Sequence, residues 1–260
     1  MKKNTIKKIV ALTTAFIICF GFTACGGNNG DSGSKEVYKA ALEPTFPPFD
    51  TTDKEGKVDG FDVDLLNAIA KDQGFEVEWS NMGFDGLIPA VKSGNIDVVI
   101  SGLTINDERK QEVDFSDEYF DAGFVLGVKK NNETIKDVNS LTKNDKVAAQ
   151  IGTMSADIIK KWAKEGKIGE AKIYDKVNDA IMDVNNGSVA AILNDKPVLL
   201  EYISQQPDTI KIVGDTIEQQ PYGIAVKKGN TKLLEKINKG LKNLKDNGEY
   251  DKLLKKWKLK

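Results

Sequence analysis

From Val37 onward the sequence alternates short apolar runs with amphipathic stretches at helical spacing, and this alternation restricts the chain to few architectures. Val37–Leu42 reads as a strand. Phe61, Leu65, Ala68 and Ile69 recur on one helical face, and Gly74 stands where such a helix stops. Phe75, Val77 and Trp79 alternate as in a half-buried strand. A helix around Asp85–Ser93 ends at Gly94, and Ile96–Ile100 is a continuous apolar run of the kind covered on both faces. Strands are expected again at Val147–Ile151, Ala171–Tyr174, Val189–Leu193, Ile210–Val213 and Tyr222–Val226. Helices are expected from about Thr153 to Glu165, over Val177–Asn185, after the first-turn proline Pro197, and from about Thr231 and Glu249. The expected class is α/β with largely parallel sheets.

Within this pattern "SGNIDVVISG" (93–102) and "NGSVAAILND" (186–195) repeat one plan: helix end, glycine, polar residue, apolar strand, polar residues at the strand's carboxyl end. Open parallel sheets bind ligands at that end. The repeat suggests two similar lobes, each offering polar groups from a strand terminus.

Composition removes most enzyme chemistries. The chain has no histidine, which deletes the commonest general base and zinc ligand. Its two cysteines, Cys19 and Cys25, both fall at the N-terminus, so the body has no disulfide, thiolate nucleophile or cysteine metal site. No metal, cofactor or catalytic residue is expected. Of 37 basic residues, all but Arg109 are lysines. Arginine differs from lysine where a planar fork must grip a carboxylate or phosphate through two parallel hydrogen bonds.

Arg109 follows the strand end that carries Ser101 and Thr104, on a short helix that Asn106 and Asp107 can cap. "QIGTMSAD" (150–157) turns through glycine into a helix whose first-turn amides and hydroxyls, at Thr153 and Ser155, suit an anion. Either hydroxyl serves equally as a helix cap. Asp195, before Pro197, suits a cation or a cap. In "EPTFPPF" (43–49), Phe46 and Phe49 are core or pocket wall. Together the set complements a free α-amino acid, and no phosphate-loop spacing competes.

Residues 1–24 carry Lys2, Lys3, Lys7 and Lys8, then an apolar stretch over Ile9–Phe22, as in a secretory signal. Ala24-Cys25 resembles a bacterial lipobox, with Phe22 where leucine is usual, and implies acylation of Cys25. Residues 25–35 read as a flexible tether. Without residues 1–24 the chain has 33 basic and 39 acidic residues, net −6, which argues against a nucleic-acid partner. No later segment is long and apolar enough to span a membrane as a helix.

"FPPFD", "GFDVDLLNAIAKDQG", "FDGLIPAVKSGNIDVVISGLTINDERKQEVDFSDEYF", "IGTMSAD", "AAILNDKP", "QPYGIAV" and "LKDNGEYDKLLKKW" occur in this order. From about Glu36 to the C-terminus the chain resembles the polar-amino-acid solute-binding proteins of ABC importers, a branch of the two-lobed periplasmic binding proteins of type II. The resemblance implies a protein on the extracytoplasmic face of a bacterial membrane, monomeric and lipid-anchored, that delivers a polar L-amino acid to permease subunits. It implies a first lobe of residues 36–121 and 222–260 and a second of 122–221, with crossings near Tyr119–Gly123 and Gln219–Gly223. It implies that Arg109 and Thr104 hold the ligand carboxylate with amides near Ser101, Gly102 and Thr153, and that Asp195 takes the ammonium. Phe46 and Phe84 sandwich the side chain, and Glu43 stands at its far end. Gln150 stands where some glutamine-binding members have lysine, and Asn194 where some have histidine, so the ligand stays open. Basic amino acids are favoured over glutamine or cystine. A dehydratase-like enzyme on the same fold is the alternative, with Glu43 as its one acid or base.

Overall fold

Strands that are apolar at their carboxyl ends build the first sheet, and glycines decide where its helices start and stop. The computed structural model describes residues 35–260; the signal segment, Cys25 and most of the tether lie outside the described residues. Strand β1 (Val37–Leu42) is exposed at its start and fully buried at Ala40, Ala41 and Leu42. A small hairpin, β2 (Thr51–Thr52) and β3 (Val58–Asp59), leads to α1 (Phe61–Gln73). Gly60 caps that helix at φ +133°, where a Cβ would lie 2.0 Å from the Phe49 carbonyl oxygen, so only glycine fits. Gly74 ends it in the left-handed conformation. Then follow β4 (Glu76–Asn81), α2 (Phe84–Ser93), β5 (Val98–Val99), α3 (Asp107–Glu112) and β6 (Val113–Phe115).

The chain next enters a second sheet through β7 (Phe120–Lys129), followed by β8 (Lys146–Gln150), α4 (Met154–Lys164), β9 (Glu170–Tyr174), α5 (Val177–Asn186) and β10 (Ala191–Asp195). Helix α6 (Lys196–Gln205), β11 (Ile210–Val213) and β12 (Gln219–Tyr222) complete it. β13 (Ala225–Lys227) returns to the first sheet, and α7 (Thr231–Asp246) and α8 (Glu249–Lys256) close the chain. Leu233, Ile237, Leu241 and Leu244 line the buried face of α7. A Cβ on Gly240 would meet Ile69 Cγ2 at 2.8 Å, so α7 and α1 sit in close contact. Each such buried aliphatic side chain contributes roughly 1.5–3 kcal/mol.

The first sheet has the order β4-β1-β5-β13-β6; the second runs β11-β7-β10-β8-β9, with β12 added along β7. β1 pairs in parallel with β4 and β5, and β8 with β9 and β10. All pairs that involve β7 or β13 are antiparallel. The sheets are therefore mixed, not largely parallel. In the first sheet the cause is β13, and in the second it is β7, a ten-residue strand absent from the sequence-based expectation. Gly123 and Gly127 break up its apolar run and read as turn residues. Both are instead close-approach positions, where a Cβ would come within 2.3 Å of Thr216 Cγ2 and 2.9 Å of Leu199 Cδ1.

Two further expectations are revised. Regular pairing at Ile96–Ile100 is confined to Val98–Val99, although the Asp97 and Ile100 amides still bond to β1 carbonyls. Tyr222–Val226 is not one strand: it breaks at Gly223, whose amide bonds to the Leu103 carbonyl as the chain changes sheets. There β12 lies antiparallel to the start of β7, pairing Tyr222 with Phe120 and Gln219 with Gly123. An aromatic cluster fills this junction, with Phe49 at 5.0 Å from Phe120 and 5.3 Å from Tyr222.

Candidate functional site

Three strand ends and one loop converge between the sheets. After β5 the chain turns at Gly102 (φ +53°), where a Cβ would collide with the Phe46 ring at 2.7 Å. The Asn106 side chain then accepts from the Arg109 amide at 2.8 Å and caps α3, as its position suggested. The Arg109 guanidinium donates through Nη1 to the Thr104 carbonyl at 2.8 Å and through Nη2 to the carbonyl of Gly152, in the turn that follows the second sheet's Gln150, at 3.0 Å. It also lies over the Phe84 ring, 5.6 Å from the centroid. Two of its five N–H donors are thus anchored and three remain. Burial lowers its pKa to about 10, which leaves it charged at neutral pH.

From the second sheet, β8 delivers Gln150 and the turn into α4. Thr153 caps that helix, accepting from the Ala156 amide at 3.1 Å and donating to the Gln150 carbonyl at 2.7 Å. The first-turn amides before Ala156 have no acceptor within the helix. At the end of β10 stands Asp195, 6% exposed and making no cap bond to α6. Its Oδ1 accepts from the Tyr222 hydroxyl at 2.6 Å. Burial raises its carboxyl to about 7, against the opposing pull of Tyr222 and Arg109.

These groups enclose one cavity. The first sheet contributes Phe46, Phe84, Gly102, Thr104 and Arg109; the second contributes Phe124, Thr153, Met154 and Asp195. Phe49, the other aromatic of the proline loop, is core. Glu43 and Gln150 sit on opposite sheets and meet directly, Gln150 Nε2 donating to Glu43 Oε2 at 3.2 Å. Thr45 Oγ1 also donates to Glu43, and Gln150 Nε2 to the Asp175 carbonyl. Burial raises the Glu43 carboxyl. Gln150 Oε1 and the neighbouring Asn194 Nδ2 are buried without partners among the described residues.

Two groups face elsewhere than expected. The Ser101 hydroxyl donates to Asp50 Oδ2 at 3.1 Å and accepts from the Glu43 amide, so it lies behind the cavity wall. The Gly102 amide donates to Asp62 Oδ2 at 2.8 Å and is spent within the first sheet. Both Asp50 and Asp62 are fully buried, and burial raises both carboxyls, Asp62 to about 7. Sequence reasoning missed this pair, along with Phe124, Met154 and Tyr222. The two aspartates follow phenylalanines in "FPPFD" and "GFD", and only the fold brings them beneath Ser101 and Gly102.

Residues 38–260 match the bacterial extracellular solute-binding proteins, family 3. A probable histidine-binding protein of Neisseria gonorrhoeae is 33% identical over 261 residues, covering 97% of this chain and 96% of that protein. The glutamine-binding protein of an ABC transporter of Bacillus subtilis is 32% identical over 273 residues, covering 97% of each. An ancestral arginine-binding protein, solved bound to arginine, is 48% identical with a TM-score of 0.81 and covers 86% of this chain and 98% of that one. With the strand ends of two mixed sheets facing one cavity and this match across nearly all the described residues, the chain belongs to the bacterial extracellular solute-binding proteins, family 3.

Proposed function

We propose that this protein captures a free polar L-α-amino acid between its two sheets and delivers it to the membrane subunits of an ABC importer. The observation that carries this reading is the placement of Arg109 and Asp195, on opposite sheets, in the wall of one cavity. The spare donors of Arg109, with Thr104 and the first-turn amides of α4 at Thr153, hold the α-carboxylate. Asp195 takes the α-ammonium, and Phe46 and Phe84 flank the side chain. Glu43 and Gln150 receive its tip. A carboxylate there favours arginine or lysine over glutamine and rejects glutamate. Residues 36–121 with 222–260, and 122–221, act as two lobes that close about the β7–β12 ribbon.

The protein acts as a monomer without a cofactor and catalyses no reaction. Its acylated Cys25 and tether keep it on the extracytoplasmic face of the membrane. Relatives named for arginine, histidine and glutamine support the ligand class. A thermal-shift screen with the common amino acids tests it, because a ligand at about 100 times its Kd stabilises by roughly 2.7 kcal/mol. Stabilisation by none of them, or turnover of a prephenate-like acid, would overturn the reading.

A further inference from the structure

We propose that Tyr222 is a positioning residue that holds Asp195 ready for the ligand ammonium and fixes its place relative to the carboxylate-binding segment. The inference rests on the reading that Asp195 takes that ammonium. Tyr222 lies on β12 and reaches both poles of the cavity. Its backbone forms an isolated bridge to Thr104, and the flanking bonds run from Ile105 N–H to the Pro221 carbonyl and from Gly223 N–H to the Leu103 carbonyl. Its side chain donates to Asp195 Oδ1, at the end of β10, at 2.6 Å. One residue thus ties the segment bearing Thr104 to the carboxylate opposite.

The hydroxyl does two things. It satisfies one oxygen of a buried carboxylate and leaves Oδ2 for a ligand. It also favours the ionised form, as a donor to a carboxylate must, where burial alone favours the neutral acid. Besides burial, the groups acting on Asp195 are the Tyr222 hydroxyl, its own backbone N–H and the Arg109 guanidinium from α3; Asp50 and Asp62, from the first sheet, act on Tyr222. Nothing else about Tyr222 requires a hydroxyl. Its ring packs at 5.3 Å from Phe49 and 6.0 Å from Phe120 and Tyr119, contacts a phenylalanine would keep.

Calorimetry of the full chain with its best amino acid, across about pH 5.5 to 8.5, tests the assignment in wild type, Tyr222→Phe, Asp195→Asn and the double variant. The Tyr222→Phe change is expected to weaken binding about tenfold at neutral pH, the scale of a lost hydrogen bond to a charged group. The loss should grow as pH falls, because the acid limb of the binding profile moves to higher pH. In the Asp195→Asn background the same change should cost little. An unmoved acid limb, or an equal loss in both backgrounds, would overturn the assignment and leave Tyr222 as packing. Near-normal affinity of Asp195→Asn alone would instead overturn the ammonium reading, and this inference with it. If Tyr222→Phe fails to fold, 3-fluorotyrosine at position 222, a more acidic donor with the same ring, should move the acid limb to lower pH; no movement would refute the proposal.

Discussion

Replacing Arg109 with lysine keeps one positive charge and tests whether the fork itself matters. In the structure the guanidinium bridges the turns after β5 and β8, bonding the Thr104 carbonyl at 2.8 Å and the Gly152 carbonyl at 3.0 Å, and its remaining donors make no bond among the described residues. A single ammonium cannot reproduce both bonds and still present two parallel donors to a carboxylate. Hydrogen bonds to charged groups are worth about 1.5–3 kcal/mol each, and truncating one partner of a buried charged pair costs about 2–5 kcal/mol. Loss of the bidentate grip therefore predicts an affinity lower by roughly 30-fold to several thousandfold at neutral pH. A second effect adds to it. Burial lowers even the guanidinium to about 10, and a lysine starts from about 10.4 rather than 12.5. The same burial draws it toward neutrality, so the variant should lose more affinity as pH rises toward 9, where wild type does not. Isothermal calorimetry from about pH 6.5 to 8.5 reads both effects, with a melting curve to show that the fold survives. Affinity within threefold of wild type, or no added loss at the alkaline end, would refute the reasoning.

Ligand binding should release a proton near neutral pH. The Asp195 carboxyl is raised to about 7, and an arriving ammonium lowers it again, so a fraction of a proton leaves at about pH 6.5 and almost none at pH 8.5; calorimetry in buffers of different ionisation enthalpy counts it, and Asp195→Asn should abolish it. Gly152→Ala should weaken binding about tenfold or more. The residue sits at φ +74°, which costs an alanine about 1–2 kcal/mol, and its Cβ would lie 3.0 Å from Asp85 Cα across the cleft; small-angle scattering should show less compaction with ligand than in wild type. Glu43→Gln should weaken arginine and lysine more than glutamine, and an unchanged ligand ranking in calorimetry would show that Glu43 reads nothing.

Much of the cavity lining was legible because the residue types that suit a zwitterion stand out chemically. A solitary arginine among lysines marks the proposed carboxylate pole, and the β5 and β10 ends look alike because both helices before them stop at a left-handed glycine, Gly94 and Gly187. Local spacing sufficed for α2, α5 and β1. It failed at β7, whose identity depends on three partner strands distant in sequence and whose glycines imitate turns. It failed again for Ser101 and Gly102, because residue type says a group can bond but not which way it points. Asp50 and Asp62, remote in sequence, claim those two groups only once the first sheet is folded. Tyr222 looked like one more apolar strand residue. Its role comes from a 2.6 Å bond to the end of β10, a strand remote in sequence, that no pattern within "QPYGIAV" encodes.

The electrostatics of the cavity connect selectivity to closure in the proposed function. Enclosure works against the charge at both poles, drawing Arg109 down to about 10 and Asp195 up to about 7. A ligand with a carboxylate alone would pair with Arg109 and place a second negative group near Asp195, which would then take up a proton. An amine alone would pair with Asp195 and leave Arg109 with only its two carbonyl partners. An α-amino acid offers both charges at once and brings no net headgroup charge into a low-dielectric site, so neither pole is left uncompensated. Because Arg109 and Asp195 stand on different sheets, this compensation is complete only when the sheets are together. The free energy that selects a zwitterion over its singly charged analogues is then the same free energy that holds the lobes closed. A ligand lacking either charge should therefore bind weakly and close the protein poorly, two losses with one cause.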